Sequence, residues 1–495
     1  MRGDEMIHVS DLIHYKKCKK YCWNCKNNPK AHEGFYHMHE PFSNLWMEYL
    51  KIKDCAKGSV GDSNEKTLEL LKEHDVVCFA RFEYRTCRTK IPVLVKVKGG
   101  YRAIYPHLSA YPKESESLTM KINQEIAKHL GILIVENLVL YLNKDYLREN
   151  MLDLDQLLLV SDSLFNKRNK QSKTIKECME RHTFDLDAWI DEVNKLVNLE
   201  SYEMDRNKQC TAQRRCMYYA DCFDESKEPD DSVLFLTTSR NKLEQYELGK
   251  KRICDLDIEM IEGFRLQYAQ YMASKNGLFM DKAAISTWLK GMQYPISYLD
   301  FEWDTFAIPP YKGMKVFDVL CFLYSLHVED EDHSLTHHDF FATADCREAF
   351  IQSLIKTLPT TGSILVYNME GAEKLRLKQL AVQFPKYKEA LDAICDRMID
   401  LSKPFECGLF YDNRMRGHYS LKNVLPVFTD QVSYQQLSIQ DGLDAVFTYR
   451  TFDSSDEQTQ KEIRSKLRDY CKMDTFAEYV ILHGLQRYCK EEEDA

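Results

Sequence analysis

Two carboxylates interrupt an otherwise apolar run, Tyr298-Leu299-Asp300-Phe301-Glu302, and this run limits what the chain can fold into. The stretch Ile296 to Glu302 reads as a strand, and alternate residues of a strand share a face. Asp300 and Glu302 therefore project together from one side of a sheet, where two acids suggest a metal. Near the C-terminus, Tyr470-Cys471-Lys472-Met473-Asp474-Thr475 lies inside a long helical pattern running roughly from Gln458 to Tyr488. The i, i+4 spacing puts Tyr470 and Asp474 on one helix face.

The chain has 495 residues, more than one hydrophobic core usually serves, so two or three domains are expected. Hydrophobic residues at 44% and charged residues at 29% are ordinary for a globular protein, and no apolar run reaches the length of a membrane span. The start, Met1-Arg2-Gly3-Asp4-Glu5, lacks the apolar core of a signal peptide, which implies a cytoplasmic protein. In that compartment seventeen cysteines point to metal ligation or packing rather than disulfides. The net charge of −10 argues against a large nonspecific nucleic-acid footprint, although a local basic groove can coexist with it.

The fold class is α/β. The polar run Asp224 to Asp231 marks a boundary, giving a first domain over 1–235, a helical connector over 236–292 and a C-terminal domain over 293–495. Leu256, Met260, Ile261, Phe264 and Tyr268 step by threes and fours, as connecting helices do. The C-terminal domain continues with a strand-like run over 316–327, a helix from Cys346 to Leu358 and a turn at Thr360-Thr361-Gly362. A β-rich run from Ser363 to Tyr367 and helices over Glu373 to Gln383 and Tyr387 to Met398 follow. Glu491 to Asp494 form an acidic tail.

A strand Asp-x-Glu, a later acid and a helical Tyr-x-x-x-Asp, in that order, resemble the DEDDy branch of 3′-to-5′ exonucleases, which are RNase H-like. The resemblance implies that Asp300, Glu302 and Asp474 hold two Mg²⁺ or Mn²⁺ ions, hard cations that take oxygen ligands. It places the remaining acid after a strand and an Asn, in Tyr367-Asn368-Met369-Glu370-Gly371-Ala372-Glu373, with Glu373 as ligand and Glu370 and Asp400 in reserve. Here the acid is Glu rather than the usual Asp, five residues after Asn368. The resemblance further implies that Tyr470 would orient the attacking water or help deprotonate it, and Asp469 precludes the histidine variant of the site. In Gly417 to Pro426, Ser420 can cap the following helix and Lys422 can lie near a phosphate path. Asn368, Ser420 and Lys422 are the expected substrate contacts, while Trp303 and Tyr411 offer rings for base stacking or for the core.

Cys210, Cys216 and Cys222 are evenly spaced, with Arg214 and Arg215 between them. With Cys18 they make a one-plus-three set able to bind a [4Fe-4S] cluster, Zn²⁺ being the alternative and Cys22 or Cys25 alternatives to Cys18. This pattern resembles the iron-sulfur nucleases of the RecB type, whose PD-(D/E)xK site is degenerate here. Pro92 falls where that family has an Asp, Tyr105-Pro106-His107 where it has Glu-x-Lys, and Gln124 is followed by Lys128 rather than a Tyr. As a whole the chain resembles a bacterial family of largely uncharacterised proteins that join such a module to a DEDDy-like domain. Val9-Ser10-Asp11, Leu142 to Arg148, Tyr294-Pro295, Tyr324-Ser325-Leu326-His327 and Asp400-Leu401 carry the likeness, and Leu323, where a Gln is expected, departs from it.

The resemblance implies a metal-dependent 3′-to-5′ exonuclease acting on single-stranded DNA or RNA. A catalytically inactive nucleic-acid-binding adaptor in a defence or repair complex is the alternative, and a hydrolase of very short oligonucleotides is a third reading.

Overall fold

The computed structural model describes residues 6–30, 34–52, 55–211 and 215–490. Arg214, Met1 to Glu5 and the acidic tail lie outside the described residues. The chain is mixed α/β and divides into two units, residues 1–205 with 306–318, and residues 206–305 with 319–495. Among the described residues no helix is long and apolar enough to cross a membrane.

The first unit starts with helices α1 (Val9–Lys17) and α2 (Lys19–Asn27). Its sheet is built on strands β1 (Val76–Tyr84), β2 (Cys87–Val97), β3 (Gly100–Pro106), β4 (Ile134–Leu142) and β5 (Leu158–Ser161), which neighbour one another in that order. Pairing is antiparallel except between β3 and β4, which run parallel because helix α3 (Ser117–His129) carries the chain back between them. The apolar faces of α3 and of α4 (Leu186–Val197) bury Ile122, Ile126, Ile190 and Val193 in the core of this unit. Segment 306–318 joins it through Arg148, whose backbone exchanges hydrogen bonds with Met314 and Gly313 at 2.9 and 2.8 Å.

The break between units falls at 205/206 rather than near 235, because the acidic run of 224–231 is anchored instead of solvated. Asp231 is buried and accepts from Arg252 Nε at 2.8 Å and Ser274 Oγ at 2.6 Å, while Arg416 donates to Asp230 at 3.0 Å. Val233, Leu236, Ile253, Leu256 and Tyr271 pack into a small core beside it. The helix expected from Leu256 onward is also shorter. Residues 253–260 form two 3-10 turns, Gly263 adopts a φ of +80°, and only then does α5 (Arg265–Asn276) begin. Met260, Phe264 and Tyr268 stay exposed, so their spacing did not report a buried stripe.

The second unit is organised on strands β6 (Ile296–Thr305), β7 (Val319–Glu329), β8 (Leu335–Phe341), β9 (Ile364–Val366) and β10 (Met398–Asp400). Their order is β8-β7-β6-β9-β10, antiparallel from β8 to β6 and parallel from β6 to β10. The turn before β9 needs Gly362, φ +82°, since a Cβ there would stand 2.0 Å from the Pro295 carbonyl oxygen. Strand alternation sends Leu299 and Phe301 of β6 against helices α6 (Arg347–Thr357), α7 (Glu373–Gln383) and α8 (Lys388–Asp396). Ile296 and Tyr298 face the opposite way, into a core shared with α9 (Leu421–Phe428), α10 (Gly442–Arg450) and α11 (Glu457–Lys490). Asp300 and Glu302 continue that second face.

Candidate metal centre

Strand β6 and helix α11 bring three acids together. One carboxylate oxygen from each of Asp300, Glu302 and Asp474 lies within 4.8 Å of the other two. Glu302 and Asp474 are buried and Asp300 keeps a limited opening to solvent. Burial, followed by the charges of Asp474, Glu302 and Glu373, holds the Asp300 carboxyl well above the usual range. Glu302 is raised by burial and by Asp474, against the pull of Lys422. Burial lifts Asp474 to about 7, with Tyr434 and Lys422 acting the other way.

Glu373, the first residue of α7, is 1% exposed and its Oε2 is buried with no hydrogen-bond partner among the described residues. Burial pushes it up to about 8, although backbone N–H groups of Glu373 and Phe301 oppose that shift. Its charge acts on both Asp300 and Glu302. The two reserve acids are engaged elsewhere. Glu370 is exposed and paired with Lys374 at 2.8 Å. Asp400 is buried and accepts from the backbone N–H groups of Asn368, Met369 and Ser402 at 3.0, 3.1 and 2.9 Å, and from Ser402 Oγ at 2.7 Å. Asp400 thus clamps the turn at Asn368, whose φ is +66° and whose side chain lies over Gly371.

Tyr470 is buried in α11 one turn before Asp474, and burial together with the charges of Asp474, Glu302 and Asp300 keeps its phenol protonated far above neutrality. Lys422 Nζ stands 5.0 and 5.1 Å from the ring centroids of Tyr470 and Tyr434 and donates to the Gln440 carbonyl. Ser420 occupies the N-cap of α9, but its hydroxyl donates to Asn423 Oδ1 at 2.6 Å instead of accepting from a backbone N–H. Trp303 packs under Arg376 at 4.8 Å, and Tyr411 is buried with its hydroxyl accepting from Gly417 N at 2.8 Å, so that ring belongs to the core.

Several groups here escaped the sequence reading. Tyr434 donates to Asp474 Oδ1 at 2.6 Å, and Cys471 Sγ donates to Asp300 Oδ2 at 3.3 Å. Tyr434 sits in a 3-10 turn with no motif around it. Glu478 is a further buried acid in α11, and its i+4 spacing from Asp474 was a usable signal.

Cys18 belongs to the first unit and Cys210, Cys216 and Cys222 belong to the second. Cys18 Sγ contacts Met204 Sδ at 3.6 Å, and Cys210 Sγ accepts from Asn207 N at 3.4 Å. Cys22 is fully buried, donates to the Asp11 carbonyl at 3.3 Å and is pushed up to about 12 by burial, the mark of a packed thiol. Cys25 is partly buried. Arg215, expected beside thiolates, pairs with Glu225 at 2.5 Å and covers the Tyr219 ring. In the first unit Pro92 lies within β2 and Tyr105 and Pro106 end β3. Gln124 of α3 accepts from Asn137 at 3.2 Å.

The donors converging on β6 and α11 are all carboxylate oxygens, the ligands of hard divalent cations, and the undonated Glu373 Oε2 fits the same use. A family described as a domain of unknown function (DUF2779) matches residues 297–420. That stretch holds Asp300, Glu302, Asn368 and Glu373 and ends before Lys422, Tyr470 and Asp474. No curated protein and no solved structure matches the chain.

Proposed function

We propose that the second unit is an RNase H-like, DEDDy-type 3′-to-5′ exonuclease that hydrolyses single-stranded DNA or RNA with two divalent cations. The convergence of Asp300, Glu302 and Asp474, from a strand and a helix some 170 residues apart, carries this reading. The sheet order β8-β7-β6-β9-β10, with Asp300 and Glu302 on its central strand, supports it. Asp300, Glu302, Glu373 and Asp474 would hold Mg²⁺ or Mn²⁺, which when bound orients the attacking water and neutralises the departing oxygen.

The chain's own groups supply the rest. Tyr470, held neutral, positions the water by donating or accepting a hydrogen bond rather than by taking its proton. Tyr434 fixes the carboxylate of Asp474, and Cys471 does the same for Asp300. Lys422 pulls the carboxyls of both Glu302 and Asp474 down against their burial, and its ammonium would meet a phosphate. From sequence spacing, Cys18, Cys210, Cys216 and Cys222 are proposed to hold a structural [4Fe-4S] cluster, or Zn²⁺, beside a degenerate PD-(D/E)xK-like module.

Full-length protein is incubated with 5′-labelled single-stranded DNA and RNA in Mn²⁺, beside Asp300→Ala and Asp474→Ala. A ladder shortening from the 3′ end, absent from both variants and abolished by EDTA, is expected. Binding that survives EDTA with no ladder would replace the exonuclease with the adaptor.

A further inference from the structure

Helix α11 carries a third polar group on the face of Tyr470 and Asp474. Glu478 follows Asp474 by four residues, one turn along the same side. It is 1% exposed, and its Oε2 is buried without a hydrogen-bond partner among the described residues. Its neighbours on this buried stripe, Ala477, Ile481 and Leu482, are apolar, as helix packing requires. A carboxylate in that position loses its hydration and gains nothing from packing, so it stays neutral unless a cation compensates its charge.

The surroundings of Glu478 are acidic. The charges acting on it are those of Asp300, Glu373, Asp474 and Asp400. Asp400 is already saturated by four donors. Glu373 shares the condition of Glu478, being equally buried with an undonated Oε2. The two orphaned oxygens come from different elements, α7 and α11. Each leaves an oxygen able to ligate a cation.

We propose that Glu478 is a fifth carboxylate of the cation centre, a positioning residue that acts together with Glu373 and strengthens the hold on the second ion. It stands outside the three-oxygen group of Asp300, Glu302 and Asp474, and so supports the site rather than defining it. The inference rests on the metal-centre reading above.

The test titrates metal-free full-length protein with Mn²⁺ alone, without nucleic acid, counting bound ions by electron paramagnetic resonance. Wild type is compared with Glu478→Gln, Glu478→Met and Asp300→Ala. Both Glu478 variants are expected to bind the second ion about 10- to 100-fold more weakly. Both should also melt at a higher temperature than wild type in EDTA, which shows that they fold. Wild-type affinity in both variants, with binding lost in Asp300→Ala, would overturn the role of Glu478 and leave the centre standing. A wild type that binds no Mn²⁺ would overturn both.

Discussion

Asp474→Asn separates the charge of the cluster from its shape. The Asp474 carboxyl rises from the ordinary 3.8 to about 7 on folding, first through burial. At about 1.4 kcal/mol per pH unit, an ionised Asp474 costs the metal-free folded state about 4 kcal/mol. The folded value lies above the unfolded one, so this stability is present below about pH 4 and is lost progressively as pH rises through about 7. Asparagine does not titrate and keeps an acceptor for the Tyr434 hydroxyl. In EDTA the variant should match wild type near pH 4 and exceed it at pH 8, where its urea midpoint should lie roughly 1–2 M higher by circular dichroism. Mn²⁺ should reverse the order, because binding to the folded state stabilises wild type alone. A variant no more stable than wild type at pH 8 in EDTA would refute the reasoning.

Three further outcomes follow from other parts of the molecule. Asp304 is fully buried and held by Arg450, Nη2 to Oδ1 at 2.7 Å, so Arg450→Met should cost about 3–5 kcal/mol in urea unfolding. A Cβ on Gly484 would stand 2.3 Å from Phe428 Cδ1, so Gly484→Ala should destabilise by about 1–3 kcal/mol despite alanine's better helix propensity. Anaerobically purified protein should be brown, with absorbance near roughly 400 nm that Cys216→Ser removes. Colourless protein carrying zinc would change the metal assignment.

The strand at Ile296 was legible as a short apolar run, because both its faces are buried, and the helix beginning at Glu373 and the long C-terminal helix because their periodicities reflect burial on one face. The same periodicity accounts for Asp300 and Glu302 sharing a face and for Asp474 pointing toward them. Where apolar spacing lacked a buried surface, as at Met260 and Phe264, it misled. The acidic run at 224–231 read as a linker because its partners, Arg252, Ser274 and Arg416, are remote in sequence. Tyr434 was invisible for a related reason. A single tyrosine in a loop has no local pattern, and only the tertiary fold brings it to Asp474. Asp400 read as a spare ligand, since nothing local showed that the backbone of Asn368 and Met369 would claim it.

The most direct test of the central claim is anomalous diffraction at the manganese edge from crystals of the full-length protein soaked in Mn²⁺. Two peaks about 3.5–4 Å apart, among the carboxylates of Asp300, Glu302, Glu373 and Asp474, are expected. A fully soaked crystal with no manganese at these side chains would contradict the account.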